Sequence, residues 1–444
     1  MVACSARALR IPMHSLVING GCRLRGRIVA SGNKNAALPV LAATLLTDET
    51  VELDNIPNIR DVQVMTSLLR DLGASVETTS PGRFVISASD VRSTPPNAPL
   101  CREIRASFLL AGPLLARFGE VILPAPGGDQ IGRRPLDAHI RGFEALGATV
   151  DATASTYRFT APGGLRGADV FLHEMSVTAT ENVIMAACLA RGESIIRNAA
   201  SEPHVQDLCH LLRSMGAEIE GIGTNTLQIM GRDRLHAGKI SIGADNIEVG
   251  SLIALAAVTR GEILIERASP EQHRMTAIAY GLLGVHWEVR DGDIFVPADQ
   301  ELVIKGGLHG QISKIQDAPW PGFPADLTSI ALVLATQARG TLLIHEWMYE
   351  SRLYWVDRLI NMGARVVVCD PHRALVHGPS QLSGQSLSSP DIRAGMALLI
   401  AALAAEGTSV IHNAHQIDRG YQDIDGRLRA LGASVERRES RQQP

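Results

Sequence analysis

The sequence predicts an α/β protein of two domains, in which six copies of a helix-strand-helix-strand-strand unit surround buried inner helices. Three observations carry this. One tripeptide recurs six times, as Leu72-Gly73-Ala74, Leu146-Gly147-Ala148, Met215-Gly216-Ala217, Leu283-Gly284-Val285, Met362-Gly363-Ala364 and Leu431-Gly432-Ala433, with its glycines 68 to 79 residues apart, the mark of an internal repeat. A second signal, a turn followed by a β-branched run, also occurs once per unit: Gly119-Glu120-Val121-Ile122, Gly192-Glu193-Ser194-Ile195-Ile196, Gly261-Glu262-Ile263, Gly340-Thr341-Leu342 and Gly407-Thr408-Ser409-Val410, with Asp48-Glu49-Thr50-Val51 in the first. The helices before these turns are apolar nearly all round, as in Met396-Ala397-Leu398-Leu399-Ile400-Ala401-Ala402-Leu403, and a helix without a polar face is buried on every side.

Each unit then reads in order. The buried helix comes first and the β-branched strand second. A surface helix follows, in which Val205, Leu208, Leu211, Leu212 and Met215 keep the i, i+3, i+4 spacing of an amphipathic face. Gly216 suits the left-handed position just past that helix. A strand pair such as Gly82-Arg83-Phe84-Val85-Ile86-Ser87 closes the unit. An open solenoid needs polar caps at both ends, and the terminal units carry none, so two closed groups of three are expected. The spans are 34–235 for the first domain, with the glycine-rich loop, and 236–444 for the second. Residues 1–33 hold short strands expected to pack with the second domain, and Leu235–Gly243 has the polar, glycine-containing character of a hinge.

Composition excludes several functions. A net charge of −4 and a pI near 6.4 give no basic footprint for nucleic acid, and 4% aromatics leave few platforms for base stacking. The six cysteines, Cys4, Cys22, Cys101, Cys188, Cys209 and Cys369, have no CxxC spacing, so neither a disulfide framework nor a zinc site is expected. The histidines show no ligand spacing either, and no metal and no cofactor are expected. Met1–Ser15 lacks the apolar core of a signal peptide, and no apolar run reaches the ~18 residues of a membrane span. The expected location is cytoplasmic, with no membrane partner.

The amino ends of the buried helices carry unusual residues. They are Ser31-Gly32-Asn33-Lys34-Asn35, Arg105-Ala106-Ser107, the Ser176, Thr178 and Thr180 set, Asp245-Asn246 with Glu248, Pro321-Gly322-Phe323-Pro324-Ala325-Asp326, and Ser389-Pro390-Asp391-Ile392-Arg393. Capping accounts for Ser176, Ser389 and Asp391. It does not account for Lys34, Arg105 and Arg393, since a cation at a helix start opposes the macrodipole. Free N–H groups beside a guanidinium or ammonium make an anion site, so a shared cleft for an anionic ligand is expected if these ends converge. The loop Pro126-Gly127-Gly128-Asp129-Gln130-Ile131-Gly132-Arg133-Arg134-Pro135 adds three glycines, one carboxylate and two guanidinium groups, parts suited to carrying an acid over an anion. His139 is a candidate phosphate contact and Trp320 a candidate wall of the cleft.

At these residues the chain resembles the enolpyruvyl transferases. The run Ser31 to Pro39 resembles the start of that family. Arg105-Ala106-Ser107, Pro126 to Asp137, Phe323-Pro324-Ala325-Asp326 and Ile417-Asp418-Arg419-Gly420-Tyr421 are similar to the members that act on UDP-N-acetylglucosamine. The similarity runs from about Leu16 to Glu436. It implies two inside-out α/β barrels with a cleft between them. It also implies transfer of the enolpyruvyl group of phosphoenolpyruvate to the 3′-hydroxyl of UDP-N-acetylglucosamine with release of phosphate, the first committed step of peptidoglycan synthesis. Carried over by position, Lys34 and Arg134 hold phosphoenolpyruvate, Arg419 clamps its carboxylate, and Arg352 and Arg393 line the same pocket. Asn35 touches substrate and Arg105 helps hold the nucleotide. Arg134, Pro135, Leu136, Asp137 and Ala138 form part of the uridine site, and Met348 and Glu174, Met175, Ser176 and Val177 supply further nucleotide contacts. Asp326 is the implied base at the sugar hydroxyl, Asp391 a second carboxylate for proton transfer, and Asp129 the acid. Two other readings stay open at this point: the same chemistry on another uridine nucleotide or on shikimate 3-phosphate, and a non-catalytic nucleotide-binding paralogue.

The chain departs from its relatives at the loop tip, where many members have cysteine and this one has Asp129. Glu174, Thr178 and Asn246 also replace the commoner lysine, glycine and arginine. A general acid works only while it holds its proton, and a carboxyl releases its proton several units below a thiol. The activity of the unsubstituted chain is therefore expected to fall, as pH rises, at a lower pH than that of Asp129→Cys. Superimposable pH–rate profiles of the two would contradict the acid role.

Overall fold

A computed structural model describes residues 14–439. Cys4, the stretch expected to lack a leader, and the chain end after Glu439 lie outside those residues, apart from His14 and Ser15. The six inner helices are Lys34–Ala43, Ala111–Phe118, Val177–Ala187, Asn246–Val258, Thr328–Gln337 and Ile392–Ala404. Short 3₁₀ turns, Arg105–Leu110 and Ala325–Leu327, lead into the second and the fifth. Every residue of the fourth is buried, because Leu, Ile, Val and Ala occupy all of its sides.

Each inner helix is followed by a strand, a surface helix and an antiparallel pair. In the first unit these are Thr50–Asp54, Arg60–Asp71, and Ser75–Ser80 with Arg83–Ser87. All six repeat glycines sit at left-handed φ, between 87° and 105°, the backbone state that ends a helix and that a Cβ disfavours. Six sheets result, five of four strands and one of three.

The fourth strand of the five larger sheets is more than the repeat pattern predicts. In the third and fifth units it is a short parallel strand just before the inner helix, Asp169–Phe171 and Ser313–Gln316. The first unit draws its parallel strand, Gly238–Ser241, from the middle of the chain, and the fourth draws Arg25–Val29 from the beginning. The sixth has Ser386–Ser388 in parallel, and its hairpin position is filled by His14–Asn19, which lies between Thr408–His412 and Ser434–Glu439. The segment Leu235–Gly243, expected to be a hinge, is thus partly a sheet strand, Gly238–Ser241, and its Ile240, with Ile242 just after the strand, packs into the first half. Its polar face made it look like a linker because only alternate residues are turned inward.

Buried apolar residues form two separate clusters, one drawn from 36 to 242 and the other from 16 to 30 together with 244 to 435. The chain passes between them at two places that lie side by side. Gly32 and Ala244 form an antiparallel bridge, Asn33 N–H donates to Gly243 O and Asp245 N–H to Ser31 O, both at 2.9 Å. Asp245 caps the fourth inner helix and also accepts from Lys34 N–H at 3.1 Å. Glu248 takes Ser31 N–H at 2.7 Å and pairs with Arg427. A Cβ on Gly32 would stand 1.7 Å from the Asn55 carbonyl oxygen. Gly32→Ala is expected to cost about 1–3 kcal/mol, read as a lower thermal midpoint; an unchanged midpoint would contradict this close crossing.

Candidate functional site

The starts of all six inner helices line one cavity of about 260 Å³ between the halves. Lys34 and Asn35 come from the first, Arg105 and Ala106 from the turn before the second, Val177, Thr178 and Glu181 from the third, Asn246 and Ile247 from the fourth, Asp326 from the turn before the fifth, and Ile392 and Arg393 from the sixth. The glycine-rich loop contributes Gly128, Asp129, Ile131 and Arg134, and the second half adds Trp320, Met348, Tyr349, Arg352 and Arg419.

The charges fall into two clusters. In one, Asp61 lies between Lys34 Nζ and Arg419 Nε, each at 3.0 Å, and Arg419 also pairs with Asp129. In the other, Asp326 accepts from Arg352 and from Arg393, both at 2.9 Å. Burial works to raise the Asp326 pKa, but Arg393, Arg352 and Lys34 outweigh it and hold the carboxyl below its ordinary range. Arg352 also faces Glu346 at 3.6 Å. Burial pushes Glu346 up to about 9, against the pull of Arg352.

The loop closes across the cleft in this conformation. Ser351 N–H donates to Ile131 O and Arg133 N–H to Glu350 Oε2, each at 3.1 Å. Gly128 and Gly132 hold φ of 106° and 127°, and at Gly127 a Cβ would meet Arg102 O at 1.7 Å. Only glycine fits that approach. Arg105 bonds the carbonyls of Arg134 and Pro135 and so ties the loop's far end to the second inner helix.

Of the residues singled out from sequence, Lys34, Asn35, Arg105, Asp129, Arg134, Val177, Asp326, Met348, Arg352, Arg393 and Arg419 line the cavity. Pro135, Leu136, Asp137, Ala138, Glu174, Met175 and Ser176 do not. Leu136 and Ala138 are buried, Pro135, Asp137 and Glu174 are exposed, and Ser176 caps the third inner helix through Ala179 N–H. Asp391 is also away from the lining: its Oδ1 accepts from Arg393 and Ala394 N–H at 2.9 Å, so it serves as the N-cap of the sixth inner helix. His139 is no phosphate contact here. Its ring is buried between Thr178 and Asn182, and burial lowers its pKa to about 3.

Sequence reasoning missed Asp61, Glu181, Glu202, His204 and the pair Asp317 and Glu346. Asp61 sits in the first turn of a surface helix, where an acid looks like an ordinary partner of the macrodipole. Asp317 accepts from Trp347 and Met348 N–H at 2.8 and 3.3 Å and so positions the Met348 backbone. Among the described residues, no group of three or more His, Cys, Asp or Glu side chains could hold a metal ion, and no helix is long and apolar enough to cross a membrane.

Comparison with known proteins gives matches along almost the whole chain. The family model for EPSP synthase (3-phosphoshikimate 1-carboxyvinyltransferase) matches residues 18–428. The UDP-N-acetylglucosamine 1-carboxyvinyltransferase of Bradyrhizobium diazoefficiens is 54% identical over 421 residues, covering 95% of this chain and 97% of that one. The protein of the same name from Treponema denticola is 51% identical over 427 residues, covering 96% and 100%. Among solved structures, the enolpyruvyl transferase NikO from Streptomyces tendae superposes with a TM-score of 0.86 at 25% identity, over 97% of this chain and all of that one. An EPSP synthase from Acinetobacter baumannii, at 16% identity and a TM-score of 0.73 over 96% of this chain and 100% of its own, shares the fold.

The Asp326 cluster also bears on stability. A carboxyl held below its unfolded pKa of about 3.9 adds stability above that value and loses it as pH falls through the lower folded one. Asp326→Asn is therefore expected to be less stable than the unsubstituted chain at neutral pH, with the gap closing only in strong acid. A gap that stays constant from pH 7 to pH 2 in denaturant unfolding would contradict the pairing.

Proposed function

The chain belongs to the EPSP synthase (3-phosphoshikimate 1-carboxyvinyltransferase) family, the enolpyruvyl transferases with the two-domain inside-out α/β fold, and from that premise we propose how its cavity works. The chain moves an enolpyruvyl (1-carboxyvinyl) group to UDP-N-acetylglucosamine, the first committed step of peptidoglycan synthesis. The donor in this reading is phosphoenolpyruvate, and phosphate is released. The observation that carries it is the convergence of six helix starts and six cations, Lys34, Arg105, Arg134, Arg352, Arg393 and Arg419, on one cavity that also holds Asp129 and Asp326.

Phosphoenolpyruvate is a phosphate and a carboxylate on three carbons, and helix N–H groups with guanidinium forks bind both kinds of oxyanion. Lys34 and Arg134 take the phosphate and Arg419 the carboxylate. The donor's carboxylate competes with Asp129 for Arg419, which releases the loop carboxylate to take up a proton from solvent and face the methylene carbon as the acid. The sugar 3′-hydroxyl then attacks the neighbouring carbon. Asp326 takes the hydroxyl proton while Asp129 gives one to the methylene, which becomes a methyl group. In the second half of the reaction the phosphate leaves with its bonding electron pair and takes up the proton held by Asp326, the methyl group returns one proton to Asp129, and the double bond re-forms on the transferred group. Fixed cations stabilise the charge that develops in both steps without reorganising.

Asp391 acts in this reading through Arg393, whose backbone it caps. Arg105, with Pro135, Leu136, Asp137 and Ala138 behind it, holds the far end of the loop, and the Glu174 to Val177 turn forms the nucleotide's end of the cleft. Relatives of half-identity named for UDP-N-acetylglucosamine favour that acceptor over shikimate 3-phosphate.

Phosphate release is the direct test. With phosphoenolpyruvate present, UDP-N-acetylglucosamine is expected to give turnover, and shikimate 3-phosphate and UMP none. Lys34→Ala is expected to lower turnover at least about 10²-fold, the scale of losing one charge-stabilising donor. Release with shikimate 3-phosphate alone, or an active Lys34→Ala, would overturn the reading.

A further inference from the structure

One part of the cavity wall is left unused by these steps. Glu181 stands one turn into the third inner helix, is only 1% exposed, and lines the cavity with Val177 and Thr178. Glu202 and His204, at the start of the helix Pro203–Ser214, line it as well. Each has a buried polar atom that no protein group meets: Glu181 Oε1, Glu202 Oε2 and His204 Nδ1. Native proteins rarely leave such atoms without partners, and here three belong to neighbouring side chains facing one cavity.

We propose that Glu181, with Glu202 and His204 beside it, is a recognition floor that hydrogen-bonds an uncharged polar group on the sugar of the acceptor. This rests on the enolpyruvyl-transfer reading of the cavity. Burial, followed by the charge of Glu202, drives the Glu181 carboxyl well above its ordinary range. Burial also raises Glu202, although backbone N–H groups from its own segment and from Trp320 act against it. Burial brings His204 down to about 4, opposed by the charge of Asp326. The upward shift favours the protonated Glu181 carboxyl, which offers an O–H donor, and the imidazole, held down to about 4, is uncharged at neutral pH. A hydroxyl or an amide can both give and receive hydrogen bonds on such a surface.

A phosphate or carboxylate gains no countercharge there and faces the carboxyl oxygens of Glu181 and Glu202. The cavity thus sorts its two substrates by charge: the small dianionic donor goes to the cations, and the neutral sugar goes to the floor. The charge of Asp326 reaches His204, so a sugar seated on this floor lies next to the proposed base. Glu181 is then a specificity residue for the acceptor and has no part in holding the donor.

Steady-state kinetics of Glu181→Val and Glu181→Gln, with each substrate varied in turn, tests this. Glu181→Val is expected to raise KM for UDP-N-acetylglucosamine about tenfold or more, the scale of one lost hydrogen bond, while KM for phosphoenolpyruvate moves less than about twofold. Glu181→Gln keeps an N–H donor and is expected to recover most of that loss. An unchanged acceptor KM in Glu181→Val overturns the proposal. So does an equal rise in both KM values, or an equal defect in the two variants, since each would mark a structural role. Absence of turnover with UDP-N-acetylglucosamine in the unsubstituted chain would instead be a failure of the transfer reading itself.

Discussion

Six helices with no polar side can show polarity only at their ends, and that constraint organises the molecule. Their side chains pack into two apolar clusters, and their starts meet at one cavity. Each start leaves backbone N–H groups without helical partners and a partial positive charge. Six of them together repel one another. Caps relieve part of this: Asn33, Ser176, Asp245 and Asp391 each accept N–H bonds from their own helix. Asp61 and Asp326 answer the lysine and arginines set among them. The carboxyls left to offset six cations in the lining are five, and burial pushes two of these, Glu181 and Glu202, toward the neutral form. The excess of positive charge is what an anionic substrate satisfies.

Chain topology joins the two sides of that cavity at one place. The strand His14–Asn19 completes the sixth sheet and Arg25–Val29 joins the fourth, so the second half is built from both ends of the described chain. Both connections between halves pass through Ser31–Asn33 and Gly243–Asp245 and are hydrogen-bonded to each other. The two crossings thus form one paired joint between the halves. Across the cleft, the loop of the first half reaches Glu350, Ser351 and Arg419 of the second. These contacts are few and polar, as suits a part that has to open for each turnover.

The repeat was legible because its six glycines share one backbone state: the left-handed turn after each surface helix disfavours a Cβ, so the same residue marks the same place in every unit. The inner helices were legible from their apolar circumference, and the cleft from cations placed against the macrodipole. Other features leave little trace in one dimension. Parallel strands of three to five residues such as Asp169–Phe171 and Gly238–Ser241 are too short for alternation to register. Asp391 has the composition of a catalytic acid and the position of a cap. Glu181 is a single acid inside an apolar helix. Asp61 shows its purpose only once the fold brings Lys34 and Arg419, 27 positions before and 358 positions after it, to the same carboxylate.

The account stands on an anion site built from converging helix starts. A crystal structure of the protein with phosphoenolpyruvate bound tests it most directly. The account predicts that the donor's phosphate lies within hydrogen-bond distance of Lys34 and Arg134 and its carboxylate within that distance of Arg419, with Asp129 moved off that guanidinium. A donor bound outside this cavity, with Asp129 still paired to Arg419, would contradict it.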